Sequence, residues 1–151
     1  MAKPTHETVR LKPVTRRNWE AVADLSLSPA QRKLVASNAY SLAESKFDPA
    51  ARPRAIYAGQ RVVGFIMYEF SRTKKKAFIY RFMIDRRHQG KGYGQAALAA
   101  AIKEIGEVPG VRKVSICYVA GNRAAKAFYA GVGFREVGRD ADGEVIAELK
   151  L

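Results

Sequence analysis

The stretch IDRRHQGKGYGQAALAAAIKEIGE, Ile84–Glu107, decides the fold of this chain. It sets three glycines at alternate positions between an apolar run and a strongly helical run: Gly90, Gly92 and Gly94. A helix N-terminus exposes unpaired N–H groups and carries about half a positive charge, and glycines let a ligand approach the backbone. The stretch therefore predicts an anion-binding loop suited to a phosphate or pyrophosphate. Lys91, Arg86 and Arg87 add positive charge to it.

The glycine spacing excludes two familiar phosphate-binding motifs. The three glycines give G-x-G-x-G, whereas a dinucleotide-binding fold has G-x-G-x-x-G and an acidic residue about 20 residues further on. A P-loop closes with Gly-Lys-Ser or Gly-Lys-Thr, and this loop does not. The remaining alternative at this point is a glycine-rich turn from strand to helix that holds no ligand.

Hydrophobic periodicity and turn residues predict the element order β-α-α-β-β-β-α-β-α-β-β. The predicted features include strands Thr8–Val14, Ala77–Asp85 and Val111–Val119, helices that begin at caps Thr15, Ser28 and Asn122, a proline-rich break at Phe47–Arg54, and hairpin turns at Ala58–Gln60 and Asp142–Gly143. The strands before and after the Ile84–Glu107 helix form a βαβ unit, so they should be parallel. We expect an α+β fold (α/β mixed): one central mixed sheet with helices on both faces, with residues 1–151 as a single domain.

Composition limits the partners of this chain. The formal net charge is +13 and the pI is near 10.1, a balance that favours anionic partners. The basic run Arg72–Lys76 is interpreted as a solvated hairpin loop, because no basic helix with interleaved aromatics and no nucleic-acid motif accompanies it. A nucleic-acid partner is therefore not expected. No apolar run reaches the roughly 18 residues of a membrane span, and the first residues form no apolar signal segment, so we expect a cytoplasmic protein without a membrane partner.

Metal and disulfide chemistry are not expected. Cys117 is the single cysteine, which excludes an internal disulfide and a zinc site built from several thiolates. His6 and His88 are too few and too isolated in the sequence for a metal site. Cys117 is interpreted as a small hydrophobic residue on a buried strand.

Two long motifs resemble the GCN5-related N-acetyltransferase (GNAT) family. The first is Q/R-x-x-G-x-G/A, matched by Gln89, Gly92 and Gly94 after RFMID. The second is N-x-x-A-x-x-F/L-Y-x-x-x-G-F, whose matches are Asn122, Ala125, Phe128, Tyr129, Gly133 and Phe134. The motifs have the family's order and separation, and the resemblance covers nearly the whole chain. It implies the GNAT acyl-CoA acyltransferase fold and transfer of an acetyl group from the co-substrate acetyl-CoA to an amine by direct attack, without a metal.

The resemblance also implies roles for named residues. The CoA pyrophosphate would bind the loop residues Gln89, Gly90, Lys91, Gly92, Tyr93, Gly94 and Gln95, and the pantetheine arm would pair with Phe82, Met83 and Ile84 where two parallel strands splay apart. The N–H near Met83 would polarise the thioester carbonyl. Asn122, Ala125 and Phe128 would contact the cofactor, and Tyr129 would protonate the departing thiolate, as a phenol with a pKa near 10 can.

Several of these residues also have a purely structural interpretation. Tyr129 follows Phe128 on an amphipathic helix, where an aromatic side chain commonly belongs to the core. Asn122 stands where a helix cap belongs. Tyr93 is suited to packing within the loop. The sequence leaves these alternatives open.

The acceptor amine is less well defined. VASNAYSLAESKFDP and RFMIDRRHQGKGYG resemble bacterial spermine/spermidine or diamine acetyltransferases, which implies a small-molecule amine substrate. Such enzymes often carry an acid two residues before the strand phenylalanine, but here Tyr80 and then Arg81 occupy that region. Glu44, Glu69 and Asp85 remain as acids that would attract or deprotonate an amine, or else form surface ion pairs or cap a turn. The charge of +13 opposes a polycationic substrate.

Alternative functions therefore stay open at this stage. They are acetylation of a protein lysine or N-terminus, acetylation of an aminoglycoside-like antibiotic, and a non-catalytic acyl-CoA-binding module. Edge strands and the C-terminal hairpin make a homodimer a further expectation.

Overall fold

The computed structural model describes residues 7–71 and 73–151, so His6 and Arg72 lie outside the described residues. The strands within these ranges are β1 Val9–Pro13, β2 Ala51–Ala58, β3 Arg61–Ser71, β4 Lys76–Ile84, β5 Lys113–Tyr118, β6 Arg135–Arg139 and β7 Val145–Lys150. The helices are α1 Trp19–Ala23, α2 Asn38–Phe47, α3 Tyr93–Gly106 and α4 Arg123–Val132, and a 3-10 turn covers Arg86–His88. This is the predicted element order.

The described strands form one seven-stranded sheet in the order β1-β2-β3-β4-β5-β7-β6. Strands β4 and β5 are parallel, as predicted for the βαβ unit, and every other neighbouring pair is antiparallel. The mixed sheet is therefore confirmed. The prediction that residues 1–151 form a single domain stays a prediction.

Strands β4 and β5 pair over only part of their length. Their register runs from Lys76 opposite Lys113 to Ile79 opposite Ile116, although β4 continues to Ile84. On the other side of β4, Tyr68 pairs with Ile79 and Met67 pairs with Arg81, so Tyr80 is the extra residue of a β-bulge. The bulge lies where pairing with β5 stops. Beyond it β4 is bonded to β3 alone, and the two parallel strands separate.

Helices cover both faces of the sheet. Along β3, Phe65 and Met67 pack in a cluster with α1 and α2, which we call the α2 face, whereas Ile66 and Tyr68 pack with α3 and α4 on the α3 face. This alternation follows from the two-residue period of a strand. Among the described residues no helix combines the length and apolar character needed to cross a bilayer.

Three boundaries differ from the prediction. Helix α2 begins at Asn38 with Ser37 as its cap, and residues 29–34 form turns. Leu34, which the longer helix would have placed on its buried face, is exposed. Helix α1 begins at Trp19 rather than directly after Thr15. Residues 51–54 of the predicted break belong to β2, where they pair with β3.

Candidate active site

The loop before α3 has the geometry of an anion site. Gly90 and Gly92 have φ angles of 77° and 85°, the left-handed region that strains any residue with a Cβ. Gly92 is the N-cap of α3 and no side chain caps this helix. The N–H groups of Tyr93, Gly94 and Gln95 therefore lack the capping acceptor that a helix start usually has. Lys91 is exposed beside them.

Asp85 fixes this loop to the rest of the molecule. Its carboxylate is fully buried and accepts hydrogen bonds from the Ser26 N–H, the Arg87 N–H and the Arg87 Nε, each at 2.9 Å. Burial alone would raise the pKa of Asp85, but these hydrogen bonds outweigh it and hold the pKa below its usual value. Asp85 is thus the turn cap that the sequence allowed.

Other loop side chains are held in place as well. The Gln89 Nε2 donates to the Ile84 carbonyl at 2.9 Å. Tyr93 is 3% exposed and its hydroxyl donates to Glu7 at 2.9 Å, so its ring packs in the core. The His88 ring lies 6.5 Å from the Tyr93 ring, and burial lowers the pKa of His88.

The register decides which backbone N–H groups face the gap between β4 and β5. The Asp85 N–H donates to the Val63 carbonyl of β3, and Met83 stands opposite Phe65 in the same register. Because strand N–H groups alternate in direction, the Met83 N–H also points to β3, while those of Phe82 and Ile84 point to the gap. The Ile84 carbonyl also points to the gap, where it accepts a hydrogen bond from the Gln89 side chain.

The Met83 side chain lies elsewhere. It is 6% exposed and packs in the cluster of the α2 face, where its Sδ accepts from the Asn38 amide at 3.5 Å. Met83 therefore contributes packing to the α2 face.

Helix α4 brings Tyr129 to the end of β5. The Tyr129 ring stacks on Tyr118 at 6.0 Å and meets Phe128 and Phe134 edge-on. Burial raises the pKa of Tyr129 above its usual value, and the nearby Cys117 raises it further. Within residues 7–71 and 73–151 no hydrogen bond to its hydroxyl is present. The phenol thus stays protonated and free to donate.

Asn122 and Phe128 have clear structural positions. The Asn122 Oδ1 accepts a hydrogen bond from the Ala125 N–H at 3.1 Å and caps α4, one of the two roles that the sequence suggested for it. The Phe128 ring lies 6.1 Å from the Phe82 ring, which seats α4 over the unpaired end of β4. The loop, the gap and α4 therefore adjoin one another.

The acids lie on the α2 face, around Tyr80. Burial raises the pKa of Glu69, and hydrogen bonding with Asp48 and the charges of Asp48 and Glu44 raise it further. Burial raises the pKa of Tyr80 to about 12, with contributions from Glu69, Asp48 and Glu44. The Tyr80 hydroxyl is buried and has no partner among the described residues. Sequence reasoning missed Asp48, although it follows Glu44 by four residues.

Arg81 stands at the edge of this group of acids. Its Nη2 lies 3.4 Å from the Glu44 carboxylate, and its Nε donates to the Ser41 hydroxyl at 3.2 Å. Its guanidinium lies 5.2 Å from the centre of the Tyr80 ring. The bulge explains how two consecutive strand residues both reach the α2 face.

Cys117 is on the neighbouring strand. Burial raises the pKa of its thiol to about 11, with Glu144 and Asp140 adding to the effect. The Cys117 Sγ and one oxygen each of Asp140 and Glu144 lie within 4.8 Å of one another. Cys117, Asp140 and Glu69 also line a cavity of about 350 Å³. The expectation that the chain binds no metal stays a prediction.

Comparison with known proteins identifies the family. The Acetyltransferase (GNAT) family profile matches residues 17–134. The spermine/spermidine N(1)-acetyltransferase of Bacillus subtilis (strain 168) is 30% identical over 151 aligned residues, covering 95% of this chain and 99% of that protein.

Solved structures share the fold. An acetyltransferase from Thermus thermophilus superposes with a TM-score of 0.72 at 23% identity, over 95% of this chain and 97% of that one. The PaiA N-acetyltransferase of Thermoplasma acidophilum, solved in complex with coenzyme A, gives 0.71 at 20% identity, over 95% and 99%. With the family profile covering most of its length, this chain belongs to the GNAT family and is an acetyl-CoA-dependent N-acetyltransferase.

Proposed function

We propose that this N-acetyltransferase acts on a primary amine of a small polyamine or diamine. One observation carries the proposal: Glu44, Asp48 and Glu69 lie on the same face as Tyr80 and all raise the pKa of its hydroxyl, in a chain whose formal net charge is +13. A local group of acids attracts a cation that the rest of the surface repels. The name of the Bacillus subtilis relative points to the same class of acceptor.

The residues around the gap fit acetyl-CoA, which supplies the acetyl group as a thioester. The uncapped N–H groups at the start of α3, together with Lys91, would hold the pyrophosphate. The N–H groups of Ile84 and Phe82 would face the pantetheine arm. We assign the N–H that is expected near Met83 for the thioester carbonyl to Phe82, because the Met83 N–H points to β3. One such donor contributes about 3 kcal/mol to catalysis.

Three proton movements accompany the transfer, and the first, from the ammonium group, precedes it. The neutral amine nitrogen forms a bond to the acetyl carbon while the carbon–sulfur bond breaks, and the Tyr129 hydroxyl donates a proton to the departing sulfur. The nitrogen then loses its second proton, and the Tyr129 oxygen regains a proton from solvent. The raised pKa of Tyr129 keeps the phenol proton in place beforehand.

The amine must first lose its own proton. An alkylamine with a pKa near 10 is only about one part in a thousand neutral at pH 7, a cost of roughly 4 kcal/mol. Glu69 has a raised pKa, so it accepts that proton more readily than an ordinary carboxylate. Glu44 and Asp48 would hold the remaining positive charge of the acceptor.

Thiol release from acetyl-CoA tests the proposal. The purified chain is given spermidine, spermine, short diamines, an aminoglycoside and a lysine-bearing peptide. We expect saturable release with polyamines and weak release with the other acceptors. Turnover with the peptide or the aminoglycoside alone would show one of the alternative acceptors, and acetyl-CoA binding without turnover on any amine would indicate a non-catalytic acyl-CoA-binding module.

A matched pair of variants shows whether the acids are responsible. Asp48→Asn removes one carboxylate of the group, and Glu107→Gln removes one from an exposed position after α3. Only Asp48→Asn should raise the KM for the amine. A cytoplasmic location and a homodimer remain predictions from the sequence.

A further inference from the structure

One arginine, Arg81, is part of the group of acids on the α2 face. The Arg81 side chain is 21% exposed and bonds to Glu44 at 3.4 Å, to the Ser41 hydroxyl at 3.2 Å and to the Tyr80 carbonyl at 2.9 Å. Arg81 directly follows the bulge on β4, and Cys117 directly follows the last β5 residue that pairs with β4, so both residues flank the start of the gap. Arg81 therefore contacts an acid of the group and stands beside the gap.

The position of Arg81 has a consequence for the charge of the acceptor site. Glu44, Asp48 and Glu69 carry three formal negative charges, and Arg81 reduces the total to two. Its guanidinium lies 5.2 Å from the Tyr80 ring centre, a position from which a cation is attracted to an aromatic face. An ammonium group arriving at this site meets a resident cation.

We propose that Arg81 is a specificity-determining residue that sets how many positive charges the acceptor amine carries. This inference rests on the proposed function, since it concerns the same amine site. Coulomb energy scales with the product of the charges. Removing Arg81 therefore strengthens the binding of every cationic amine, and a trication gains more than a dication.

The alternative is that Arg81 only fastens α2 to β4 through Ser41 and Glu44. A fastening role would change stability, and it would change the KM values of all amines by a common factor. A charge-setting role changes the ratio of the KM values of two amines that differ in charge. This ratio therefore distinguishes the two roles.

The experiment compares spermidine, a trication, with 1,4-diaminobutane, a dication. Steady-state kinetics give the two KM values, and calorimetry in the presence of CoA gives the two amine affinities. We expect Arg81→Gln to shift the affinity ratio toward spermidine by roughly fivefold. Arg81→Lys, which keeps the charge, should retain the ratio of the unsubstituted protein.

A matched control removes one positive charge elsewhere. Arg10 is exposed on β1, three strands away from β4 at the edge of the sheet. If Arg10→Gln gives the same shift, the field of the whole molecule is responsible and the role of Arg81 is refuted. An unchanged ratio in Arg81→Gln, with its melting temperature and CoA affinity retained, refutes it as well. If the unsubstituted protein neither binds nor acetylates either amine, the proposed acceptor class is wrong and Arg81 loses its role with it.

Discussion

At the scale of single residues, Tyr129 is the proton donor that we propose. Burial keeps its hydroxyl protonated by raising its pKa, and no acceptor among the described residues engages it. We expect Tyr129→Phe to lower kcat about 100-fold and to leave acetyl-CoA affinity nearly unchanged, because a phenylalanine still stacks on Tyr118. Steady-state kinetics and cofactor titration check both parts. A kcat within about threefold of the original would remove Tyr129 as the acid.

The raised pKa of Glu69 predicts how kcat/KM for the amine depends on pH. Its pKa is raised by burial, by hydrogen bonding with Asp48 and by the charges of Asp48 and Glu44. The carboxylate therefore forms at a higher pH than that of an ordinary glutamate. Only the carboxylate attracts an ammonium group or accepts its proton. The kcat/KM for the amine should therefore be low at pH values below this raised pKa and rise as pH increases through it.

Substitution isolates that dependence from the titration of the amine itself. In Glu69→Gln the KM for the amine should increase roughly tenfold, and the acid limb of the profile should flatten. The limb governed by the amine, whose pKa is near 10, should remain. Glu107→Gln, exposed after α3, serves as the control with the same charge change. If the acid limb survives in Glu69→Gln, another group is responsible for it.

At the scale of elements, Asp85 joins the end of β4 to the segment after α1. We expect Asp85→Asn to destabilise the fold by about 2 kcal/mol, because an amide cannot accept all three hydrogen bonds that the buried carboxylate accepts. Chemical denaturation at pH 7 measures this loss. Asp24→Asn, which changes an exposed acid directly after α1, is the control.

The same carboxylate gives stability a defined pH dependence. The folded-state pKa of Asp85 is lowered, so its contribution is fully present above the unfolded value near 3.9. The contribution is lost as pH falls from there through the folded-state value. Asp85→Asn should therefore approach the stability of the unsubstituted protein in acid. A constant difference between the two at every pH would contradict this assignment.

Elements are predictable from the sequence where local pattern and packing agree. Helix α3 carries a regular apolar stripe and follows glycines, and both features are visible in Ile84–Glu107. The predicted start of α2 is too early because Ser28 and Pro29 resemble a helix start, whereas Leu34 is exposed instead of belonging to the core. The start of β2 escapes prediction because Pro53 suggests a break, although its pairing with β3 is supplied by distant residues.

The motifs of the candidate site are predictable from the sequence, but the directions of its side chains and backbone N–H groups are less so. The glycine loop can be named from its spacing, and Tyr129 is named by the match of its helix to the GNAT motif. The bulge at Tyr80 cannot, because it depends on the pairing with β3, and it is what turns Arg81 toward Glu44. The direction of the Met83 N–H likewise depends on register. Asp48 escapes sequence reasoning because it follows the last residue of α2, where Pro49 indicates a break, and its position beside Glu69 depends on the packing of α2 on the sheet.

At the scale of the whole molecule, the formal charge of +13 acts oppositely on acetyl-CoA and on the polyamine acceptor that we propose. CoA is strongly anionic and is attracted over distances near the Debye length of about 8 Å at physiological ionic strength. A polyamine is repelled over the same distances and is attracted only close to the group of acids on the α2 face. Salt screens the long-range effects more than the short-range contacts.

The two KM values should therefore respond differently to salt. Raising ionic strength from about 0.05 M to about 0.3 M should increase the KM for acetyl-CoA several-fold, because it weakens the attraction to the basic surface. The KM for spermidine should change less, because weaker repulsion by the surface compensates for weaker attraction by Glu44, Asp48 and Glu69. Measuring both constants in NaCl and again in KCl separates screening from binding of a particular ion. A parallel rise in both KM values would contradict this account. It would mean that the basic surface does not repel the amine, so that only the attraction by the acids is weakened by salt.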